Sequence, residues 1–177
     1  MTELEIIEGC KNENPKAQRF LVDHYSPRLM ALCIRYLRDK EIAKDVLQES
    51  YILIFQNIKR FELTGSFEGW LNRITVNTSL KHLRSKVITQ DLNDTIQAIS
   101  LYNEGYEKLE ADDILKILDK LSSHYRLIFN LYVVEGYSHA EIAKMLDITE
   151  STSRSKLSRA RNKVKSMFLN LNEKIKL

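Results

Sequence analysis

The feature that most constrains the fold is a closely spaced pair of helix-start signals near the C-terminal end. Ser138 followed by Glu141 is a capping box, and Thr149 is a second N-cap residue. Apolar residues recur at helical spacing after each cap: Ile142, Ala143 and Leu146 after the first, and Leu157, Ala160, Val164 and Phe168 after the second. With Asp147 and Ile148 as the turn, this pattern predicts a helix-turn-helix unit.

The second of these helices is strongly basic. From Glu150 to Lys165 it carries six Lys or Arg and one acidic residue. The early residues of such a helix reach base edges in the major groove, and Lys and Arg neutralise phosphates. The candidate contacts with duplex DNA are Ser151, Thr152, Arg154, Ser155, Lys156, Ser158 and Arg159. The alternative is a helical hairpin with a solvated basic face, but the two caps, the turn and the charge together favour DNA binding.

Charge divides the chain into three parts. Residues 1–86 carry 14 Lys or Arg and 11 Asp or Glu, residues 87–113 carry one and seven, and residues 114–177 carry 12 and six. Two basic blocks flank an acidic one, as expected for two nucleic-acid-binding domains and a linker. We predict an all-α protein of two small helical domains, 1–86 and 107–177, the second containing the helix-turn-helix, joined by an acidic linker, 87–106.

Local signals place the helices of the first domain. Asn14-Pro15 is a cap followed by Pro at the first helical position, Pro27 predicts a bend or a restart, and Asp39 caps the next helix. A further helix is predicted from Trp70 to about residue 85. The apolar residues of the second helix, among them Phe20, Leu21 and Tyr25, are predicted to be core.

An acidic ridge lies on the helix that follows Asp39. Glu41, Asp45 and Glu49 recur every four residues, with Gln48 beside them. A solvated helix surface is one explanation, and a docking surface for a basic partner is the other. Periodicity alone does not choose between them.

An aromatic-bearing loop leads directly into a basic helix. The loop runs from Lys59 to Gly69, with Gly65 inside it, and together with the first residue of the helix it provides three aromatic candidates: Phe61, Phe67 and Trp70. Four residues then form a polar and basic stripe: Arg73, Asn77, Lys81 and Arg84. Single-stranded nucleic acid is bound by such a combination of rings and cations. Alternatively, the aromatic residues only close the core of the domain.

The sequence contains no phosphate-binding glycine loop and no HExxH motif, so we expect no enzyme and no cofactor. A metal site built from His24, Cys33 and His82 is a rival hypothesis. The N-terminus lacks the apolar run of a signal peptide, and no segment has the roughly 20 apolar residues of a membrane span. We therefore expect a soluble, cytoplasmic protein without membrane insertion.

Three stretches resemble the signatures of one family. AKDVLQESYILIF (residues 43–55) resembles A-x-D-x-x-Q-x-x-F, and Phe61 with FEGWLNRITVN (residues 67–77) resembles F…WLxRIAxN. Residues 121–161 resemble LPxxxRxxFxLxxxEGxSxxEIAxxLGxSxGTVKSRLxRAR. The chain is thus similar to bacterial RNA polymerase sigma factors of the extracytoplasmic-function group, over nearly its full length.

The resemblance implies a sigma factor that binds RNA polymerase core and directs initiation at specific promoters. It implies that Asp45, Gln48 and Glu49 dock on the polymerase. The aromatic loop and the helix after it would capture bases of the melted minus-ten element, through Phe61, Phe67, Trp70, Arg73, Asn77, Lys81 and Arg84. The helix from Thr149 to Lys165 would bind the minus-thirty-five element as duplex. An anti-sigma factor that covers one or both DNA surfaces is a further implied partner.

Four positions depart from the family pattern. Ser122 replaces Pro, Asp147 replaces the turn Gly, Ser151 replaces Gly, and Ser153 stands where Val is commonly buried. The second helix of the helix-turn-helix is called the recognition helix below, and we expect Ser153 to loosen the packing under it. We expect Asp147 to occupy a position that requires positive φ. A remaining rival function is a helix-turn-helix repressor or activator, which would bind a duplex site without polymerase.

Overall fold

The computed structural model describes residues 1–89 and 120–175, and side chains within residues 1–83 and 120–169. The chain divides into two compact units, Met1–Asp91 and Leu92–Leu177. All regular elements in the described ranges are helical. The predicted all-α class is confirmed for these residues. No helix in the same ranges combines the length and the apolar content of a membrane span.

Unit 1 contains four α-helices and a short 3₁₀ turn. The elements are α1 (Glu3–Lys11), α2 (Pro15–Leu37), α3 (Lys40–Asn57), the turn Ile58–Arg60, and α4 (Phe67–Thr89). Asn14 caps α2 by accepting hydrogen bonds from the Lys16 and Ala17 N–H groups, and the side chain of Asp39 caps α3 in the same way. Both predicted caps are confirmed.

The core of unit 1 is formed where α1, α2, α3 and α4 pack together. Its largest fully buried side chains include Ile7, Leu21, Leu29, Ile54, Phe67 and Leu71. Small polar residues are buried as well: the Ser50, Thr75 and Ser79 hydroxyls donate to the carbonyl four residues earlier in their own helices. Because these hydroxyls are satisfied locally, they allow close helix approach without an unpaired polar group.

The structure differs from the sequence prediction at several places in unit 1. α2 continues through Pro27, so the predicted restart does not occur, and Phe20 is exposed on α2 although it was expected in the core. α4 begins at Phe67 rather than Trp70, since the Ser66 hydroxyl accepts a hydrogen bond from the Gly69 N–H at 3.1 Å and caps it. α4 also extends to Thr89, three residues into the predicted linker, and the rest of that linker lies outside the described residues.

Unit 2 contains the predicted pair of helices. Its described elements are α5 (Ser123–Phe129), a π-helical turn (Asn130–Val134), α6 (His139–Leu146) and α7 (Glu150–Ile175). The predicted helix before residue 120 lies outside the described part of the chain. Gly136 has φ of 76°, a conformation that glycine adopts at little cost, and the chain turns there toward α6.

The apolar stripe of α7 forms much of the core of this unit. Leu157 and Ala160 are buried, and Val164 is partly buried. Ala160 and Leu121 form a cluster against which Tyr125, Phe129 and Val164 pack, so the later part of the stripe faces α5. Ile142 of α6 and Leu131 of the π-helical turn are buried as well. The opposite face of α7 is thereby left to solvent.

Candidate functional site

The aromatic side chains of the predicted loop form one cluster. The ring centroids of Phe61 and Phe67 are 5.2 Å apart, those of Phe61 and Trp70 are 5.2 Å apart, and those of Phe67 and Trp70 are 5.8 Å apart. Tyr25 of α2 meets the Phe67 ring edge-on at 5.9 Å. Aromatic rings at these separations and tilts attract one another beyond their buried area.

The three rings differ in how far they are exposed to solvent. Phe67 is 0% exposed and Phe61 is 8% exposed, whereas Trp70 is partly exposed. Our prediction that Phe67 contacts DNA does not fit its position, because a base cannot reach a ring that the core encloses on all sides. Phe67 is a core residue against which Phe61 and Trp70 pack.

A pocket of about 370 Å³ opens beside the cluster. Its lining consists of Arg60, Phe61, Glu62, Thr64, Gly65, Ser66, Gly69, Trp70 and Arg73. The volume lies in the range of small-molecule sites. Two rings, hydroxyl groups and two guanidinium-bearing residues in one concavity provide both stacking surface and hydrogen-bond donors. Sequence reasoning missed Arg60, Glu62, Thr64 and Ser66, although Arg60 and Glu62 are the immediate neighbours of Phe61.

The polar stripe of α4 begins at this pocket. Arg73 lines it, and Asn77 and Lys81 follow on the exposed side of the helix. Leu71, Val76 and Leu80 are buried on the other side. Arg84 belongs to the same helix, but its side chain lies outside the described residues. The pocket therefore lies at the start of α4, and a row of side chains with hydrogen-bond donors continues from it along the exposed side of the helix.

The acidic ridge is on α3. Asp45 and Gln48 are exposed and Glu49 is partly exposed, so the structure leaves the ridge accessible in unit 1. Glu49 Oε1 forms an ion pair with Lys81 Nζ of α4 at 3.1 Å. The ridge and the polar stripe are therefore neighbouring surfaces that share one ion pair.

The helix-turn-helix of unit 2 is built by the predicted local signals. Ser138 and Glu141 form the reciprocal capping box at the start of α6. Asp147 ends that helix with φ of 54°, so the expected left-handed conformation is confirmed. Thr149 Oγ1 accepts a hydrogen bond from the Thr152 N–H at 3.1 Å and caps α7. A short helix, a left-handed turn residue and a capped second helix give the motif its geometry.

The predicted duplex contacts lie on the outer side of α7. Ser151, Arg154, Ser155, Ser158 and Arg159 are exposed, and Thr152 and Lys156 are partly buried. Arg154 also pairs with Glu150 one turn earlier, at 3.0 Å. This side therefore offers hydroxyl groups and cations to solvent from the first turn onward.

Two of the later cations instead contact aromatic residues. The Arg161 guanidinium lies 5.5 Å from the centre of the Tyr132 ring, and Lys163 Nζ lies 4.8 Å from the centre of the Tyr125 ring. Cation–π contacts of this kind are stabilising. They help to hold α7 against α5 and the π-helical turn.

Ser153 has a hydrogen-bonding partner that sequence reasoning missed. Its side chain is fully buried, and its Oγ lies 2.9 Å from Nδ1 of His139, the first residue of α6. The His139 ring in turn stacks on Tyr132, with centroids 4.4 Å apart. Our expectation that Ser153 loosens the packing is therefore wrong, because its hydroxyl is satisfied and joins the two helices. Burial, with a smaller contribution from Arg154, lowers the pKa of His139.

The rival metal site finds no support in this geometry. Among the residues described, no three His, Cys, Asp or Glu side chains are grouped so that they could hold a metal ion. His24, Cys33 and His82 all belong to the part of the chain for which this holds. Cys33 is buried in the core, and burial raises the pKa of its thiol to about 11.

Comparison with known proteins gives two family matches. Residues 21–87 match the model of sigma-70 region 2, and residues 111–164 match that of sigma-70 region 4. The first range contains the aromatic loop, the pocket and the acidic ridge. The second contains the helix-turn-helix.

Curated relatives agree with these matches. The chain is 28% identical to the ECF RNA polymerase sigma factor SigE of Mycolicibacterium smegmatis over 82% of its own length, although it spans only 59% of that relative. It is 27% identical to the ECF RNA polymerase sigma factor SigW of Bacillus subtilis, over 93% of this chain and 96% of that one.

Solved structures show the same fold. The sigma factor RpoE of Bartonella quintana, in complex with the anti-sigma factor NepR, aligns with a TM-score of 0.58 and 24% identity, over 85% of this chain and 95% of that one. CnrH, in complex with the cytosolic domain of CnrY, aligns with a TM-score of 0.53 and 20% identity, over 92% and 94% of the two chains. The two family matches and these relatives together show that this chain belongs to the extracytoplasmic-function group of the sigma-70 family, and the solved structures agree in fold.

Proposed function

We propose that the protein is a sigma factor that binds RNA polymerase core and directs it to specific promoters. The observation that carries this proposal is that one chain presents two different candidate surfaces for nucleic acid. Unit 1 has a pocket that suits an unstacked base, and unit 2 has a helix-turn-helix that suits a duplex. A promoter that is melted at one element and paired at the other needs both.

The pocket of unit 1 would bind the melted minus-ten element. A base that leaves the duplex loses stacking worth a few kcal/mol, and a pocket with aromatic walls can restore part of it. Phe61 and Trp70 provide these walls, with Phe67 behind them. Further along α4, four side chains would contact the phosphate backbone of the single DNA strand: Arg73, Asn77, Lys81 and Arg84.

The outer side of α7 would bind the minus-thirty-five element. A helix in the major groove presents its early side chains to base edges, and arginine can form two hydrogen bonds with guanine. We assign this role to Ser151, Thr152, Arg154, Ser155, Lys156, Ser158 and Arg159. Specific binding would require polymerase, because a modest basic surface supplies little affinity at physiological salt.

The acidic ridge on α3 would dock on the polymerase. Asp45, Gln48 and Glu49 are accessible and carry negative charge, so they suit a basic partner surface. We also propose an anti-sigma partner, since the fold neighbour RpoE was crystallised with one. The protein would act in the cytoplasm beside polymerase, as a regulatory subunit that is not an enzyme and needs no cofactor.

Run-off transcription with purified core polymerase and genomic DNA tests the proposal. We expect initiation at a defined set of start sites when the protein is added, and none without it. A gel shift with the free protein separates this function from that of an ordinary repressor. Tight binding of the free protein to one duplex site, without any stimulation of core, would favour the repressor.

Replacement of Asp45 and Glu49 by Lys tests the docking surface. Both side chains lie outside the core, so we expect native helix content together with loss of co-purification with core. Glu8→Lys is the matched control, because Glu8 is an exposed carboxylate on α1, outside the ridge, and it pairs with Lys11 at 3.4 Å. If the double variant still co-purifies with core, the docking surface lies elsewhere.

A further inference from the structure

One residue in the loop of the pocket combines two unfavourable features. Leu63 has φ of 32°, in the left-handed region that residues with a side chain rarely adopt. Its side chain is also 51% exposed. Asn would adopt this backbone more readily, and any polar residue would be better solvated. A residue that is unfavourable in both respects is a candidate for a functional role.

The other positive-φ residues outside glycine have a local explanation. Arg38 and Asp147 are the C-cap residues of α2 and α6, and Glu13 directly follows the C-cap of α1. Left-handed residues are common at such helix ends. Leu63 lies between the 3₁₀ turn and α4 and ends no helix.

The surroundings of Leu63 indicate which role this is. Its two neighbours in sequence, Glu62 and Thr64, both line the pocket, whereas Leu63 itself does not. The apolar side chain therefore stands in solvent beside a concavity that also contains Arg60 and Arg73. Arginine attracts nucleic-acid phosphates, so the position is suited to a nucleic-acid chain that passes the rim.

We propose that Leu63 is a wedge that fills the gap left in the base stack when a base enters the pocket. Apolar side chains of this size separate base steps in other protein–DNA complexes. A wedge prevents the displaced base from returning, since its place is occupied. The inference rests on the proposed function and adds a residue that acts on strand opening rather than on the captured base.

The test compares Leu63→Ala on two templates in complex with core polymerase. One template is a fully paired promoter, and the other is the same promoter with a pre-melted minus-ten element. Opening of the paired promoter is measured by the fluorescence of a 2-aminopurine placed in that element, and complex formation on the pre-melted template is measured by gel shift. We expect opening of the paired promoter to fall about tenfold, from the lost apolar contact, with little change on the pre-melted one.

Leu4→Ala is the matched control, because Leu4 is 56% exposed in the same unit and lies on α1. Leu63→Asn keeps a residue that tolerates the left-handed backbone, and Leu63→Met keeps an apolar side chain. We expect Leu63→Asn to behave like Leu63→Ala and Leu63→Met to retain most of the opening.

Equal losses on both templates would overturn the inference, since they would indicate a role in docking or in base capture. Unchanged opening by Leu63→Asn would overturn it as well. Failure of the proposed function gives a different result, because the unaltered protein would then form a complex with core on neither template.

Discussion

The two candidate DNA surfaces relate differently to the cores beneath them. In unit 1 the walls of the pocket are also core residues: Phe61 packs on the fully buried Phe67, and both belong to the central hydrophobic cluster. In unit 2 the core of α7 is formed by Leu157 and Ala160, and the candidate contacts project from the other side of the helix.

This difference fits the nucleic acid that each surface is proposed to bind. A pocket for an unstacked base needs walls, and large rigid rings hold their positions only when they are packed against others. A helix in the major groove needs side chains that protrude and a core that keeps the helix in place. Binding and stability should therefore be coupled in unit 1 and separable in unit 2.

The largest expected effect is on unit 1, where binding and stability should be coupled. We expect Phe67→Ala to lower the free energy of unfolding of unit 1 by about 3–5 kcal/mol, since it removes a fully buried aromatic side chain. Urea unfolding followed by circular dichroism measures this. Phe67→Leu is the control, because it keeps most of the apolar volume and should cost clearly less. A stable Phe67→Ala variant would show that the pocket does not depend on the core.

In unit 2, substitutions on the outer side of α7 should weaken DNA binding without lowering the stability of the unit. We expect Arg154→Ala or Arg159→Ala to weaken initiation at promoters that depend on the minus-thirty-five element by about 1–3 kcal/mol per lost bidentate contact. The free energy of unfolding should change by no more than about 0.5 kcal/mol, because both side chains are exposed.

Quantitative transcription and thermal unfolding measure the two effects. Lys144→Ala is the control, since this exposed cation lies on α6 rather than on the recognition helix. If neither arginine variant reduces initiation, the placement of the recognition helix is wrong. A large loss of stability in both would contradict the separation of binding from folding in unit 2.

A smaller effect concerns the contact between α6 and α7. Burial lowers the pKa of His139 below its usual value of 6.5, so the unfolded chain binds the proton more readily than the folded one. The contribution of neutral His139 to the free energy of unfolding is therefore complete above pH 6.5. It declines as the pH falls toward the pKa that His139 has in the folded protein. Unfolding of His139→Asn between pH 7.5 and 5.5 should show a shallower decline than the unaltered protein. An unchanged slope in His139→Asn would show that proton binding at this imidazole does not couple folding to pH.

Local chemistry explains which parts of the fold could be predicted from sequence. Asn14, Asp39, Ser138 and Thr149 cap helices as expected, because a cap depends on residues at most three positions away. The left-handed turn at Asp147 was predictable for the same reason.

The missed features depend on packing between distant segments. The Ser153–His139 hydrogen bond joins two helices, and the burial of Phe67 depends on Tyr25 of α2. The continuity of α2 through Pro27 depends on the buried Tyr25 and Leu29 on either side of it, whose packing offsets a lost backbone hydrogen bond. The exposed stripe and ridge followed from periodicity, but the pocket beside them did not.

The ion pair between Glu49 and Lys81 couples the acidic ridge on α3 electrostatically to the polar stripe on α4. A cationic partner that covers Glu49 competes with Lys81 for the same carboxylate, and the ammonium group then lacks its counter-charge. Since pairs this exposed contribute about 1 kcal/mol at most, the exchange is easily reversible and weakens further in salt. Occupation of the ridge thus makes the adjacent helix more attractive to a polyanion, through a change of local potential that requires no movement of the backbone.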